Sequence, residues 1–317
     1  MAKLKMLTIA VFVTSTAIGC FAQSNEIKQN DWTKANLKGK VKSCTEISYK
    51  AIDRFGKIEN GERKRDVEDK GYDFQAKYND KGYLIEKNSY NSDGSLCIKK
   101  TCKYNEKGNM IEKSVNNLTN DVYWKSTYEY NEEGFVIEEN SYTLAGSLNA
   151  KTIYKYDEMG NKIVHNNYRS DGSLNAKITY KYNEKGNLIE ENDYLGDGSK
   201  YYMGTYKYDE KGNLIEEYGY RSVASYNVKK TYKYDEKGNL IEESNYSADS
   251  SLYYKFTAKY DVSGNKVEHY EYNTETGLYI NYTYQYEYDK QGNWIKCFVF
   301  DNEFPKYILE REYEYYE

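Results

Sequence analysis

A chain of 317 residues with 45 basic and 50 acidic side chains carries a formal net charge of −5, which lacks the basic surplus of a nucleic-acid binder. Tyr contributes 40 residues while His appears twice, Pro once and Cys five times, so a zinc cluster or a Cys/His nucleophile has almost no material to draw on. Leu, Ile, Val and Phe sum to roughly 18%, a level seen in disordered chains, but balanced charge and the Tyr rings restore the apolar surface a fold needs.

The first predicted element is an export signal. Met1-Ala2-Lys3-Leu4-Lys5 precedes an apolar run from Met6 to Gly19, and Cys20-Phe21-Ala22-Gln23 follows. A short basic stretch, a brief apolar stretch and a small-residue exit make residues 1–22 a secretory signal peptide, cleaved after Ala22. The alternative is a lipoprotein in which Cys20, after Ala17-Ile18-Gly19, becomes the lipidated first residue. Beyond residue 22 no apolar run approaches the roughly 20 residues of a membrane helix, so the mature chain is expected to lack a transmembrane helix and to be tethered, if at all, by an N-terminal lipid anchor. Residues 23–37 read as a polar lead-in.

From residue 38 to 317 the chain is a repeat array. Taking the second Tyr of each Tyr-x-Tyr-Asp/Asn block as a marker gives Tyr78, Tyr104, Tyr130, Tyr156, Tyr182, Tyr208, Tyr234, Tyr260, Tyr288 and Tyr315. The spacing is 26 residues seven times, then 28 and 27. A degenerate first copy lies at Ile52-Asp53-Arg54-Phe55-Gly56. Four residues after each marker from Tyr78 to Tyr288 stands a Gly, placed for positive φ in a type I turn closed by a G1 bulge. That turn sets Tyr182 opposite Leu188. A second turn, Asn-Ser-Asp-Gly-Ser at 91–95 and its kin, sets Tyr90 opposite Leu96.

Between turns the alternation has period 2. In 174–182, Leu174, Ala176, Ile178, Tyr180 and Tyr182 point one way and Asn175, Lys177, Thr179 and Lys181 the other. The predicted fold is therefore all-β: an antiparallel β-hairpin array of about twenty strands, two per repeat, curled into a coiled sheet or shell because open sheets beyond about ten strands tend to curl or close. The two extra residues before Tyr288 lengthen one strand by a full pleat, and the one before Tyr315 falls beside Pro305. Strict alternation predicts ion pairs Glu139–Lys151, Glu217–Lys229 and Glu243–Lys255 on the wet face. It also places Glu112, Glu138, Glu190, Glu216, Glu242 and Glu268 on the Tyr face, accepting phenol hydrogen bonds.

Candidate chemistry is sparse. His165 and His269 share one repeat position, read as solvent-facing, and no metal or cofactor site is expected. Cys97 and Cys102 fall on opposite faces of one strand; with Cys44 and Cys297 they form no disulfide framework and are expected to be free thiols. A catalytic carboxylate pair needs one distinct environment, whereas the repeats multiply near-identical ones, so no enzyme is expected. Function in a repeat protein sits where copies differ, which selects Trp124, Trp294 and the doublets Tyr201-Tyr202 and Tyr253-Tyr254 as partner-contact candidates.

Tyr-Lys-Tyr-Asp-Glu-Lys-Gly-Asn-Leu-Ile-Glu at 206–216 and 232–242, followed by Asp-Gly-Ser turns and another Tyr-x-Tyr, resembles the YD repeats of Rhs-type proteins, with a longer period. The resemblance covers nearly the whole mature chain and implies a spiralling β-shell in a secreted or surface setting. The sequence reading is an exported, non-enzymatic scaffold at the cell envelope, secreted, periplasmic or outer-membrane associated, that binds a peptide, glycan or protein and no nucleic acid. A shell module accompanying an effector is the alternative, and a glycan hydrolase built on the repeat carboxylates is a third.

Overall fold

A computed structural model describes residues 30–63, 73–222 and 226–317; the expected signal peptide, its cleavage site and Cys20 lie outside the described residues. In chain order the elements are α1 (Asp31–Lys34), β1 (Val41–Arg54), β2 (Lys57–Asn60), β3 (Asp73–Tyr78), β4 (Leu84–Tyr90), β5 (Leu96–Tyr104), β6 (Met110–Asn117) and β7 (Val122–Tyr130). There follow β8 (Val136–Tyr142), β9 (Leu148–Tyr156), β10 (Lys162–Arg169), β11 (Leu174–Tyr182), β12 (Leu188–Leu195), β13 (Lys200–Tyr208) and β14 (Leu214–Arg221). The last are β15 (Tyr226–Tyr234), β16 (Leu240–Tyr246), β17 (Leu252–Tyr260), β18 (Lys266–Asn273), β19 (Leu278–Tyr288), β20 (Trp294–Asp301) and β21 (Phe304–Tyr315). No helix of the described residues is long and apolar enough to cross a membrane.

The repeat turn is built as its sequence dictates. Gly186 sits at φ +78°; its N–H donates to Asn183 O and the Asn183 N–H to Asn187 O, both at 2.9 Å. The Asn183 side chain accepts from the N–H of Lys185 and Asn187 at 3.0 and 2.9 Å, which is why Asp or Asn opens every such turn. Tyr182 then lies opposite Leu188 and Tyr90 opposite Leu96, as expected.

One residue further the register departs from strict alternation. Lys181 pairs with Glu190, so Ile189 is an extra residue, a β-bulge. The same bulge recurs between β3 and β4 at Ile85, β5 and β6 at Ile111, and β7 and β8 at Ile137. Each bulge exchanges the two faces for every residue beyond it. The expected ion pairs Glu139–Lys151, Glu217–Lys229 and Glu243–Lys255 are therefore corrected by one residue: Lys151 bonds Glu138 at 2.6 Å, Lys229 bonds Glu216 at 2.7 Å and Lys255 bonds Glu242 at 3.2 Å. The carboxylates assigned to the Tyr face (Glu112, Glu138, Glu190, Glu216, Glu242, Glu268) lie on the Lys face, and His165 and His269 lie on the Tyr face.

The array does not end in free edges. β1 pairs antiparallel with β3 on one side and with β21 on the other, Cys44 lying opposite both Ala76 and Tyr313. Twenty strands close into a barrel, with β2 a spur on the far end of β1. Followed from partner to partner around the ring, the register returns to β1 displaced by about 22 residues, a stagger that tilts the strands by roughly 35–40° and gives a backbone radius of roughly 19 Å.

Closure makes the Tyr face concave. There, side chains from different strands converge: the Lys162 ammonium lies 5.6 Å from the Tyr154 ring and 5.0 Å from the Tyr180 ring, and Arg311 reaches both Trp294 and Phe74. On the other face the side chains splay, and Lys103, Lys181, Lys207, Lys233 and Lys259 are 65–72% exposed. The expected two-residue lengthening is seen in the 11 residues of β19, and Pro305 sits beside a register shift between Val299 and Phe300.

The lead-in is more than a polar leader. Residues 30–38 form a clasp over the seam where β1 meets β21. The Asp31 N–H donates to Gly82 O at 2.9 Å, Asn36 Nδ2 to Ser263 O at 3.1 Å and the Lys38 N–H to Asn293 Oδ1 at 2.8 Å. Trp32 Nε1 donates to Val41 O at 2.7 Å. Three repeat turns are thereby tied together where the chain supplies no turn of its own.

Candidate functional site

The two walls of the tube have different chemistry. Outside, single carboxylates are bridged by two ammonium groups from the flanking strands: Glu112 by Lys103 and Lys125 at 2.8 and 2.7 Å, Glu216 by Lys207 and Lys229 at 2.6 and 2.7 Å. These bridges hold Glu112 and Glu216 below the ordinary carboxylate range. Inside, Tyr hydroxyls organise the wall. The marker Tyr donates to the backbone carbonyl twenty residues earlier, beside the preceding bulge: Tyr130 to Met110 O at 2.6 Å, Tyr156 to Val136 O at 2.7 Å, Tyr182 to Lys162 O at 2.8 Å. Two residues before the marker, Tyr154 donates to Glu139 at 3.1 Å and Tyr232 to Glu217 at 3.0 Å.

That inner Tyr–carboxylate pattern is broken by His165, by Cys297, by Ala258 opposite His269, and by lysine in two adjacent repeats. At the two positions before the markers Tyr78 and Tyr104 stand Ala76 and Cys102, and nine residues after those markers, where Glu139, Glu191, Glu217 and Glu243 stand elsewhere, are Lys87 and Lys113. Lys87 lies directly opposite Lys100, Lys100 opposite Val115 and Val115 opposite Trp124, one continuous row across β4 to β7. The Lys87 ammonium lies 4.1 Å from the Phe74 ring centroid and the Lys113 ammonium 4.8 Å from that of Trp124. Burial, chiefly, together with the neighbouring Lys100 charge, lowers both Lys87 and Lys113. Among the described residues no carboxylate lies at ion-pair distance from Lys87, Lys100 or Lys113, in contrast to the bridged outer lysines. Next to this patch Arg311 pairs with the buried Glu46 at 2.9 Å and lies 3.7 Å from the Trp294 ring centroid.

A second inner arc is acidic. Glu191 and Asp193 on β12 are both raised, first by burial and, for Glu191, by the adjacent Asp193 carboxyl. Tyr202 and Tyr206 lie over Gly204, where a Cβ would come within 2.9 and 2.8 Å of their hydroxyl oxygens. His165 is lowered to about 4 by burial and, less, by Lys162, so it is neutral at pH 7. His269 bonds Glu271 at 3.1 Å and Tyr284 at 3.3 Å. Neither His faces solvent on the outer wall, because the bulge before each turns it inward.

The six contact candidates are not one site. Trp124 is on the inner wall of β7 and 39% exposed; Trp294 is on β20 under Arg311 and packs in a core cluster with Tyr282 and Cys297. Tyr202 and Tyr254 face inward, whereas Tyr201 and Tyr253 occupy bulges near the opposite turns and offer their carbonyls to Ser222 and Thr274. Only Trp124 belongs to the basic patch. Lys87, Lys100 and Lys113 were missed because strict alternation hid which face they share; the signal for Lys87 and Lys113 was a Lys nine residues after a marker, where other repeats carry Glu, His or Cys. Cys44, Cys97, Cys102 and Cys297 are buried and joined in no disulfide, and burial pushes the Cys44 thiol up to about 11.

No family model matches the chain and no curated protein matches it. Among solved structures it is similar to a porin-like protein from Bacteroides uniformis, at 14% identity over 86% of this chain and 96% of that one with a TM-score of 0.33. A porin-like protein from Bacteroides vulgatus aligns at 15% identity over 68% and 97%, with a TM-score of 0.31. A TcdB2–TccC3–Cdc42 crystal structure aligns at 14% identity over 74% of this chain, with a TM-score of 0.32; this chain spans 16% of that chain's length.

Proposed function

We propose that the protein is an exported, non-enzymatic tubular scaffold of the cell envelope whose inner wall is its binding surface. One observation carries this reading: closure turns the varied, aromatic and charged face inward and leaves outside a regular lattice of Lys–Glu bridges. A lipid-facing strand must present an apolar band, and an Arg or Lys at the bilayer midplane costs about 2–4 kcal/mol. The outer wall therefore suits water, and the tube stands beside a membrane or is anchored to it at Cys20 without spanning it. The inner wall offers phenols, carboxylates, ammonium groups and an exposed indole, a set suited to a polar ligand.

The test is to produce the chain with its leader in a Gram-negative host, fractionate the cells and weigh the mature N-terminus. The expected product begins at Gln23 and is free in the periplasm or medium, or begins at a lipidated Cys20 and is released by Cys20→Ser. A cytoplasmic protein retaining Met1, or one that needs detergent even as Cys20→Ser, overturns the reading.

A further inference from the structure

We infer that the inner wall across β4 to β7 is a binding site for an acidic saccharide, with Lys87, Lys100 and Lys113 receiving its carboxylate or sulfate groups and Trp124 receiving a sugar face. The inference rests on the scaffold reading and names the ligand class of its lumen. Like charges directly opposite on neighbouring strands destabilise a sheet, so the Lys87–Lys100 pair works against the fold; the Glu46 carboxylate offsets part of this at Lys87 and is itself bonded to Arg311 at 2.9 Å. By contrast Lys230, at the repeat position of Lys100, bonds Glu217 at 3.5 Å. The departure is concerted. In two adjacent repeats the inner Tyr becomes Ala76 and Cys102, both buried, while the Glu becomes Lys87 and Lys113, which exchanges a Tyr–carboxylate pair for positive charge.

The aromatic component selects among anions. Trp124 stands where the neighbouring repeats have Ile98 and Ala150, and it remains 39% exposed beside the Lys113 ammonium. A flat ring next to fixed cations fits a ligand with C–H faces and anionic groups in alternation, as in a uronate or sulfated sugar. Phe74 flanks Lys87 in the same way at the other end of the patch.

Binding is measured by calorimetry on the mature protein with a galacturonate hexamer, a sulfated hexasaccharide, a neutral maltohexaose and a glutamate hexapeptide. The expected result is saturable, salt-sensitive binding of one or both acidic sugars, the pair of probes telling carboxylate from sulfate, and none of maltohexaose. Lys100→Gln with Lys113→Gln should weaken it by about tenfold or more, Trp124→Ala should weaken it too, and the outer-wall Lys181→Gln should leave it unchanged. Because it relieves the Lys87–Lys100 repulsion, Lys100→Gln should also raise the melting temperature, which separates lost affinity from lost fold. Failure of both acidic sugars to bind, or equal binding of the glutamate peptide, overturns the inference. Acidic-sugar binding untouched by the lumen variants overturns the site while leaving the export test of the scaffold reading unaffected.

Discussion

The phenol of the marker Tyr shows how one side chain makes a repeat cooperative. Its ring packs on the inner wall, and its hydroxyl satisfies a carbonyl that the bulge of the preceding hairpin leaves outside the regular ladder. Tyr182→Phe removes the donor and keeps the ring, so it should cost about 1 kcal/mol, read as a lower denaturation midpoint, whereas Tyr168→Phe on the outer wall should stay within about 0.5 kcal/mol. The inner titratable groups make a pH signature. Glu191 is raised in the fold, so its contribution to stability is present at acid pH and is lost as pH rises from the ordinary carboxylate range toward neutrality. Glu191→Gln should therefore gain on the parent protein as pH rises through that window. His165 acts in the opposite sense: lowered to about 4 from its ordinary 6.5, it favours the fold at neutral pH and withdraws that favour as pH falls from 6.5 to 4. Urea midpoints of His165→Gln and the parent protein should converge, then cross, over that range.

At the scale of the element, the hairpin is the unit that sequence specifies and that deletion can remove. Replacing Gly186, at φ +78°, by Val should destabilise by about 1 kcal/mol or more, because a β-branched residue resists the left-handed region; an unchanged melting temperature would mean another turn type. Deleting residues 183–208 removes two strands and leaves 18, an even number that still closes antiparallel, with a radius smaller by about a tenth. Deleting 13 residues leaves an odd number and would bring β1 and β21 together parallel, so that protein should fail to close. Scattering radii and circular dichroism of the two deletions check this. The hairpins were legible from period, turn residues and the Tyr182–Leu188 and Tyr90–Leu96 pairs, all of which depend on neighbours in sequence. The bulge at Ile189 was not, since Ile is an ordinary strand residue and only the ladder with β11 decides which residue is left over. One unread residue per hairpin put His165, Glu139 and Glu190 on the wrong walls.

Over the whole molecule, the seam is the critical place. An open twenty-strand meander would expose two edges; here β1 and β21 pair with each other from Val41 to Lys50, and the 30–38 clasp covers their junction. Trp32→Ala should cost about 2 kcal/mol and raise amide exchange in β1 and β21 more than in β11 and β12, which lie far around the ring. Equal loss of protection everywhere would show that the clasp has no special relation to the seam. The basic patch across β4 to β7 is likewise a property of the closed ring, because the curvature aims Lys87, Lys100, Lys113 and Trp124 into one lumen.

From the sequence alone came the strand class, the hairpin unit, the turn chemistry and the Tyr-lined concave face, because each follows from local dihedral preferences and a period of two. The tertiary structure decided the wall on which each charged residue stands, the closure of β1 on β21 and the clustering of three lysines. Those depend on cross-strand register summed around twenty strands, where one extra residue per hairpin reverses a face and the accumulated stagger determines whether the two ends meet.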